Sequence, residues 1–277
     1  MEEITHLALQ HALIGGILAS IISGIIGVIV LEKRLVMMSG GLAHVSYGGI
    51  GLGLYYHFPP LIGAIIFTIA GALGIGRLNR RRNETTDVLI GVFWSVCMAF
   101  GVLLTQLSDI DVDFDNYLFG DIFSAKTSTL WMIFGVAVAV LLVFIAFYHV
   151  LKAYLFDEEY AEVQGVKVKG LETILFILLG LSTLIILMMV GLVLTVGLYA
   201  APPAIAKKFT KDFKKVVLLS ILLNMIFVII GISIAYALQI ASGSAIIFIA
   251  GAAYFVATFI EYVRRRRRMV DTESLNA

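Results

Sequence analysis

Nine runs of mainly apolar residues, spread over the whole chain, are the feature that most restricts its fold. A helix needs about 20 consecutive apolar residues to cross a bilayer, and most of these runs reach that length. Hydrophobic residues make up 60% of the chain and charged residues only 14%, whereas a soluble domain is about half apolar and one quarter charged. Backbone polar groups in lipid must bond internally, which favours helices for runs of this length. We therefore predict an all-α, polytopic transmembrane helical bundle.

The predicted spans cover residues 12–31, 35–56, 60–75, 88–107, 130–149, 171–190, 191–206, 216–239 and 244–263. Two of them adjoin and form one continuous apolar run, 171–206. As a single helix this run would extend over about 50 Å at 1.5 Å per residue, more than one crossing uses. We therefore predict two short spans that meet near Gly191, with eight spans as the alternative count.

The basic residues lie almost entirely on one side of this arrangement. Nine spans place 19 of the 20 lysines and arginines on one face, and only Lys126 falls on the other. Basic residues favour the cytoplasmic side, so we predict an external N-terminus and a cytoplasmic C-terminus. A single span over 171–206 would move the later basic clusters outside, so the charge distribution supports two. Residues 1–268 then form one transmembrane domain, followed by a short polar cytoplasmic tail, 269–277, that we expect to be disordered.

Charge and motifs argue against several other functions. The net charge of +1 gives no basis for nucleic-acid binding, and the one cysteine, Cys97, makes no disulfide framework. The sequence contains no phosphate-binding loop, no H-E-x-x-H and no pairing of a nucleophile with a base. We therefore predict that the chain is not an enzyme and holds no permanent cofactor. The acidic external loop, 108–129, is either a solvated connection or a surface that concentrates cations or receives a partner protein.

His44 is the exception in a membrane interior that is almost free of ionisable residues. It lies near the middle of the span 35–56, where such groups are costly and mark functional sites. Neutral imidazole is a common ligand for zinc and related metals, and glycine-rich, open backbone is typical of transport sites near the midplane. We predict that His44 contacts a transported metal. The small residues predicted to line the path are Ser39, Gly40, Gly41, Ser46 and Gly48.

A different interpretation of the same region stays open. His44 could form a hydrogen bond between helices, and the glycines around it could serve only to let helices pack closely. One histidine is also a poor metal site unless a second chain supplies its equivalent.

A proline pair, Pro202 and Pro203, follows the predicted meeting point of two spans. It removes two backbone donors and is expected to kink or end the helix. Within a membrane, such a break is tolerated only where the backbone is buried or lines a cavity. The pair is therefore either part of a gate or a plain helix end before the basic residues that begin at Lys207.

The cytoplasmic segment after the fifth span has the ends of a short helix. Asp157 is a suitable N-cap, acidic residues follow it, and Gly165 can end the helix. The segment is either a docking helix for a partner, with Tyr160, Ala161 and Val163 as apolar contacts, or a solvated connector. Its residues are Asp157, Glu158, Glu159, Tyr160, Ala161, Glu162, Val163 and Gly165.

Five segments resemble motifs of the ABC-3 family of metal ABC importer permeases, the zinc and manganese type. In chain order they are Leu42-Ala43-His44 with Gly49, residues 86–92, Tyr117-Leu118-Phe119-Gly120-Asp121, residues 157–166 and residues 190–206. One departure concerns the metal path. The family commonly has an aspartate four residues before the histidine, where this chain has Gly40. A site without that carboxylate depends on His44, supplied by both halves of a dimer, or is only a constriction along the path.

The resemblance implies a permease of a prokaryotic plasma membrane that imports a divalent transition metal, zinc or manganese. It implies that two copies form a homodimer and that cytoplasmic ABC ATPase subunits bind residues 157–166 and hydrolyse ATP. It also implies an extracytoplasmic protein that delivers the metal ion. The residues expected to receive that protein are Tyr117, Phe119, Gly120 and Asp121.

Three alternatives are weaker. An ABC permease for chelated metal or cobalamin-type cargo usually has ten spans, which is more than the runs counted here. A stand-alone secondary transporter should carry charged residues within the membrane for ion coupling, and this chain has almost none. An intramembrane enzyme would need paired catalytic groups at membrane depth, where His44 stands alone.

Overall fold

The computed structural model describes residues 2–79, 86–108 and 122–275, which form helices and no strand. The helices are α1 (Glu2–Glu32), α2 (Val36–Tyr55), α3 (Pro60–Asn79), α4 (Thr86–Gln106), α5 (Thr127–Ala146), α6 (Tyr148–Phe156), α7 (Glu158–Val163), α8 (Val168–Val190), α9 (Leu192–Phe209), α10 (Phe213–Leu238) and α11 (Ser242–Leu275). A single 3₁₀ turn, Ile122–Ser124, precedes α5. The predicted all-α class is confirmed for this part of the chain.

In the part of the chain that the structure describes, six helical segments are long and apolar enough to cross a membrane. They are Leu7–Glu32, Pro60–Leu78, Thr127–Ala146, Val168–Val190, Phe213–Leu238 and Ser242–Arg264. The other three predicted spans correspond to α2, α4 and α9. Glycine, serine and histidine lower the hydropathy of α2, while α9 contains two prolines and has two lysines in its last turn. In α4 the apolar stretch is the shorter segment Ile90–Gln106.

The apolar run 171–206 is divided at Gly191, as the sequence predicts. Helix α8 ends at Val190 and α9 begins at Leu192. Gly191 has φ +81° and ψ 170°, a conformation that is essentially restricted to glycine. Its carbonyl accepts two hydrogen bonds from Thr195, one of 3.3 Å from the backbone N–H and one of 2.7 Å from Oγ1, which fix the first turn of α9.

Pro202 and Pro203 were expected to kink or end the helix, and of these two outcomes the structure excludes an end at the pair. Both lie inside α9, which continues to Phe209. Both prolines are buried, and Pro203 packs close to Gly27 of α1. Neighbouring helices that enclose a proline can compensate for its missing donor, so the helix is maintained through the pair.

Helix α1 forms the centre of the bundle and packs against α5, α9 and α10. Its core residues include Ile22 and Ile25, which are almost completely buried. Two glycines permit this close approach. A Cβ atom at Gly24 would lie 2.8 Å from the backbone nitrogen of Ile221 in α10, and one at Gly27 would lie 2.8 Å from the carbonyl oxygen of Tyr199 in α9.

The glycines of α2 pack closely against neighbouring helices, as one of the two interpretations of this region holds, and the backbone is not opened. Helix α2 is continuous from Val36 to Tyr55 and lies between α3 and α4. Gly49 abuts the backbone of Gly63 in α3, and Gly51 abuts the backbone of Gly101 in α4. Helices can come this close only where both lack a side chain, which explains why this span is rich in glycine.

The C-terminal tail differs from the expected disordered segment. Helix α11 begins at Ser242 and continues to Leu275, beyond the arginines at 264–268. The end of α11 therefore extends from the apolar part of the helix into the polar tail without a break.

Candidate functional site

An open cleft of about 680 Å³ lies between α2 and α4 and contains His44. The lining residues are His44, Trp94, Ser95, Met98, Ala99, Val102 and Leu103. All but the histidine come from one face of α4, where residues three and four apart are neighbours. The wall is mainly apolar, so the imidazole of His44 is the group most able to bind a cation there.

The imidazole is held in place by two side chains of α4. Its Nδ1 lies 2.9 Å from the sulfur of Met98. Its ring centroid lies 5.1 Å from that of Trp94, with the planes tilted by 56°. Imidazole nitrogen and thioether sulfur are both metal donors, on the soft side of the range that proteins use. Neither Met98 nor Trp94 was predicted as a site residue, because the contact joins α2 to a helix 50 residues further along the chain.

The small residues predicted to line the path do not line this cleft. Ser39, Gly40, Gly41, Ser46 and Gly48 are buried inside the chain. The hydroxyls of Ser39 and Ser46 donate to backbone carbonyls of the preceding turn, at 2.7 and 2.6 Å. A Cβ atom at Gly48 would lie 2.8 Å from the carbonyl oxygen of Cys97 in α4. Of the predicted residues in α2, the structure brings His44 alone to the cleft, and a path role for the others stays a prediction.

Gly40, where the resemblance leads one to expect an aspartate, lies one helical turn before His44. A Cβ atom here would lie 3.3 Å from Cγ2 of Val196 in α9 and 3.8 Å from the ring of Trp94. The position is thus enclosed by apolar side chains. Among the described side chains, no three or more His, Cys, Asp or Glu residues form a group that could hold a metal ion.

The predicted short helix is confirmed as α7, and its cytoplasmic location stays a prediction. Oδ1 of Asp157 accepts a hydrogen bond of 2.9 Å from the backbone N–H of Tyr160, which caps the N-terminus. At the other end Gly165 has φ +82°, and its N–H donates to the carbonyl of Glu162 while that of Val166 donates to Ala161. This pair of bonds is a Schellman motif. Both ends are therefore formed by the residues that the sequence indicates.

The exposed face of α7 is smaller than predicted. Tyr160 and Val163 are 55% and 85% exposed, and so available to a partner. Ala161, the third predicted contact, is completely buried in the chain and packs α7 against its own bundle. The apolar contact surface is thus Tyr160 and Val163, with Phe156, 58% exposed, just before the helix.

Replacing Gly165 tests the conformation of this helix end directly. A Cβ atom at Gly165 meets nothing within 4 Å, so Gly165→Ala changes only the backbone energy. A positive φ disfavours alanine by about 1 kcal/mol, roughly fivefold in a local equilibrium. We expect the amides of Gly165 and Val166 to exchange hydrogen about fivefold faster. Gly165→Asn is the control, because asparagine tolerates this conformation, and equal exchange in the two variants would contradict the assigned conformation.

The predicted external docking residues, Tyr117, Phe119, Gly120 and Asp121, lie outside the described residues. The 3₁₀ turn that follows them is attached to the bundle. The backbone N–H of Ile122 donates to the hydroxyl of Ser242 at 3.3 Å, and Nδ1 of His11 lies 3.3 Å from the carbonyl oxygen of Ala125. These contacts connect the chain just after 121 to α1 and to the first residue of α11.

Comparison with known proteins identifies the family. The model of the ABC 3 transport family matches residues 5–261. The chain belongs to this family. Because the match covers nearly all the helices, the ABC 3 assignment applies to the whole bundle, and the chain is a multi-pass membrane transport protein.

Similar proteins align with this chain over almost its full length. The chain is 31% identical over 249 residues to the manganese transport system membrane protein MntC of Listeria monocytogenes, which spans 90% of this chain and 89% of that protein. It is 30% identical over 260 residues to the manganese import system permease protein ScaB of Streptococcus parasanguinis, spanning 94% and 93%. The solved structure of PsaBC from Streptococcus pneumoniae in complex with Fab aligns with a TM-score of 0.81 at 27% identity, over 91% of each chain.

Proposed function

We propose that this chain is the permease subunit of an ABC importer that moves a divalent transition metal into the cytoplasm. The observation that carries the proposal is His44, which enters an otherwise apolar cleft beside the sulfur of Met98. The names of the relatives MntC and ScaB support a metal as cargo. We place manganese first because both names specify it. Zinc is the second candidate. It is supported by the donors themselves, since imidazole and thioether suit softer metals than manganese and position 40 is a glycine, without a carboxylate.

The proposed membrane arrangement has nine spans, with an external N-terminus and a cytoplasmic C-terminus. It adds α2, α4 and α9 to the six helical segments that are long and apolar enough. The break at Gly191 supports two separate crossings in the run 171–206. The positive-inside distribution supports the orientation, since Lys126 would then be the only basic residue outside.

The path is proposed to form between two copies of the chain. The cleft is open, and α4 exposes apolar residues at it or beside it, such as Leu103 and Val96. A second copy facing this surface would contribute a second His44 and Met98. Two imidazoles and two thioethers then offer a transported ion four donors, where one chain offers two.

ATPase subunits are proposed to bind the cytoplasmic face through α7. Tyr160 and Val163 project from this helix, and its ends are both defined by capping bonds. A rigid, exposed helix of this kind can transmit the movement of a partner. On the opposite face we propose that an extracytoplasmic metal-binding protein docks at residues 117–121.

Reconstitution in liposomes tests this function. The permease would be combined with its ATPase subunit and its metal-binding protein, and ATP hydrolysis and uptake would be measured together with Mn²⁺, Zn²⁺ or Mg²⁺. We expect Mn²⁺ or Zn²⁺, delivered by the binding protein, to stimulate ATP hydrolysis and to accumulate inside. Mg²⁺ is the control ion, because it prefers oxygen ligands and retains its water. If neither transition metal moves while a chelated metal does, the cargo assignment is wrong.

A further inference from the structure

Lys33 connects the cytoplasmic end of α1 to the short helix α7. Its Nζ lies 3.0 Å from Oε2 of Glu158, the first residue of α7. The same ammonium lies 3.5 Å from the centroid of the Tyr154 ring in α6, a cation–π contact. The lysine side chain is only 18% exposed. It therefore contacts both α7 and the helix that leads into it, in a place where solvent screens the charge less than at an open surface.

The connection continues from Tyr154 into α8. The tyrosine hydroxyl donates a hydrogen bond of 2.7 Å to Oε1 of Glu172. Glu172 lies in the second turn of α8 and is only 7% exposed. A hydrogen bond to a carboxylate at this distance is stronger than one between neutral groups. Four residues, Lys33, Tyr154, Glu158 and Glu172, thus join α1, α6, α7 and α8, and we refer to them as the Lys33 network.

The Lys33 network lies directly at the base of α2. Helix α1 ends at Glu32 and α2 begins at Val36, so Lys33 is part of the turn between them. The turn is tightly defined. The N–H of Leu35 donates to the carbonyl of Val30 at 2.8 Å, and Arg34 has φ +57°. A displacement of Lys33 is therefore passed to the start of α2, and His44 follows about 12 Å further along that helix at 1.5 Å per residue.

We infer that Lys33 transmits movement of α7 to α2, so that a displacement of α7 by the ATPase shifts the helix that carries His44. The inference rests on the proposed function, since it assigns a positioning role within that transport cycle. It differs from simple docking, because Lys33 is not on the exposed face formed by Tyr160 and Val163. The lysine acts inside the permease, between the helix that receives the partner and the helix that contacts the cargo.

The test measures metal uptake per ATP hydrolysed in the reconstituted complex, for wild type, Lys33→Met and Lys33→Arg. Lys33→Met keeps the aliphatic stem and removes the charge. Coupling between distant sites typically changes an equilibrium by about 5–150-fold, so we expect uptake per ATP to fall about tenfold. Hydrolysis by the complex and recovery of the ATPase with the permease should both stay within about twofold of wild type. Lys33→Arg, which can form both contacts, should restore most of the uptake.

Lys207→Met is the matched control. Nζ of Lys207 lies 2.9 Å from Oε2 of Glu32, so the pair occupies the same end of α1, but it joins α1 to α9 and not to α7. Its removal should leave uptake per ATP unchanged. Where Lys33→Met does not assemble, Tyr154→Phe replaces it in the test. That variant keeps the ring beneath Lys33, loses the bond to Glu172, and should lower uptake per ATP by about threefold or more.

The outcomes separate this inference from the function on which it rests. If wild-type complex takes up no transition metal, the proposed function is wrong. If wild type transports but Lys33→Met keeps the same uptake per ATP, the transmission role of Lys33 is overturned. If Lys207→Met lowers uptake per ATP as much as Lys33→Met does, any loss of positive charge near the end of α1 has this effect. The inference is then also overturned.

Discussion

Replacing His44 with alanine should lower metal uptake by at least about tenfold while leaving the bundle folded. Among the described residues, His44 is the one ionisable side chain that lines the cleft between α2 and α4, and its Nδ1 lies 2.9 Å from the sulfur of Met98. Mutation of a residue that only orients a metal ligand typically lowers metal affinity by about 10–100-fold. Loss of the ligand itself should therefore lower metal binding by that factor or more. The measurement is initial uptake of Mn²⁺ and Zn²⁺ into liposomes that contain the complete transporter.

Two further variants distinguish a role in metal contact from a role in packing. Met98→Leu removes the sulfur and approximately keeps the volume, so a smaller loss of uptake is expected if both donors contact the ion. Ser95→Ala changes another residue of the same cleft, whose hydroxyl already bonds the carbonyl of Gly91 at 2.8 Å, and should transport normally. If His44→Ala transports normally and only unfolds at lower temperature, the imidazole is a packing residue and the path lies elsewhere.

Local features of this fold could be predicted from the sequence because the relevant residues are neighbours in the chain. The N-cap at Asp157 and the positive φ at Gly165 define α7 through contacts within ten residues. Gly191 divides a long apolar run because that backbone conformation requires glycine. In each case the residue type at a single position restricts the local backbone conformation.

Features that depend on packing between distant helices could not be predicted in the same way. The cleft exists because α4 places Trp94 and Met98 beside His44, and no spacing in the sequence reveals that contact. Pro202 and Pro203 remain inside a helix because other helices enclose them. From its position relative to His44, Gly48 was predicted to line a path, with close helix packing as the alternative, and the structure packs it against α4. A glycine in a membrane helix can either line a path or let another helix pack closely. Only the position of the neighbouring helix distinguishes these two roles.

The contact between α2 and α3 gives the largest expected effect on stability. Gly49 and Gly63 face each other, and a Cβ atom at either one would fall on the backbone of the other. Backbone cannot move aside as a flexible side chain can, so Gly49→Ala must push the two helices apart. Overpacking of this kind costs about 1–3 kcal/mol, which corresponds to a fall in Tm of roughly 2–12 °C for a chain of this size.

Gly74→Ala supplies the control on α3 itself. A Cβ atom at Gly74 meets nothing within 4 Å, and alanine is the better helix former by about 1 kcal/mol. Thermal unfolding of the purified permease in detergent should therefore show a lower Tm for Gly49→Ala and an equal or higher Tm for Gly74→Ala. An unchanged Tm for Gly49→Ala would mean that α2 and α3 lie further apart than described here. A fall for both would mean that glycine is needed in α2 and α3 for a reason other than contact. The two variants are expected to change Tm in opposite directions for one physical reason. At Gly49 the backbone of another helix occupies the space that the new methyl group must fill, and at Gly74 that space is empty.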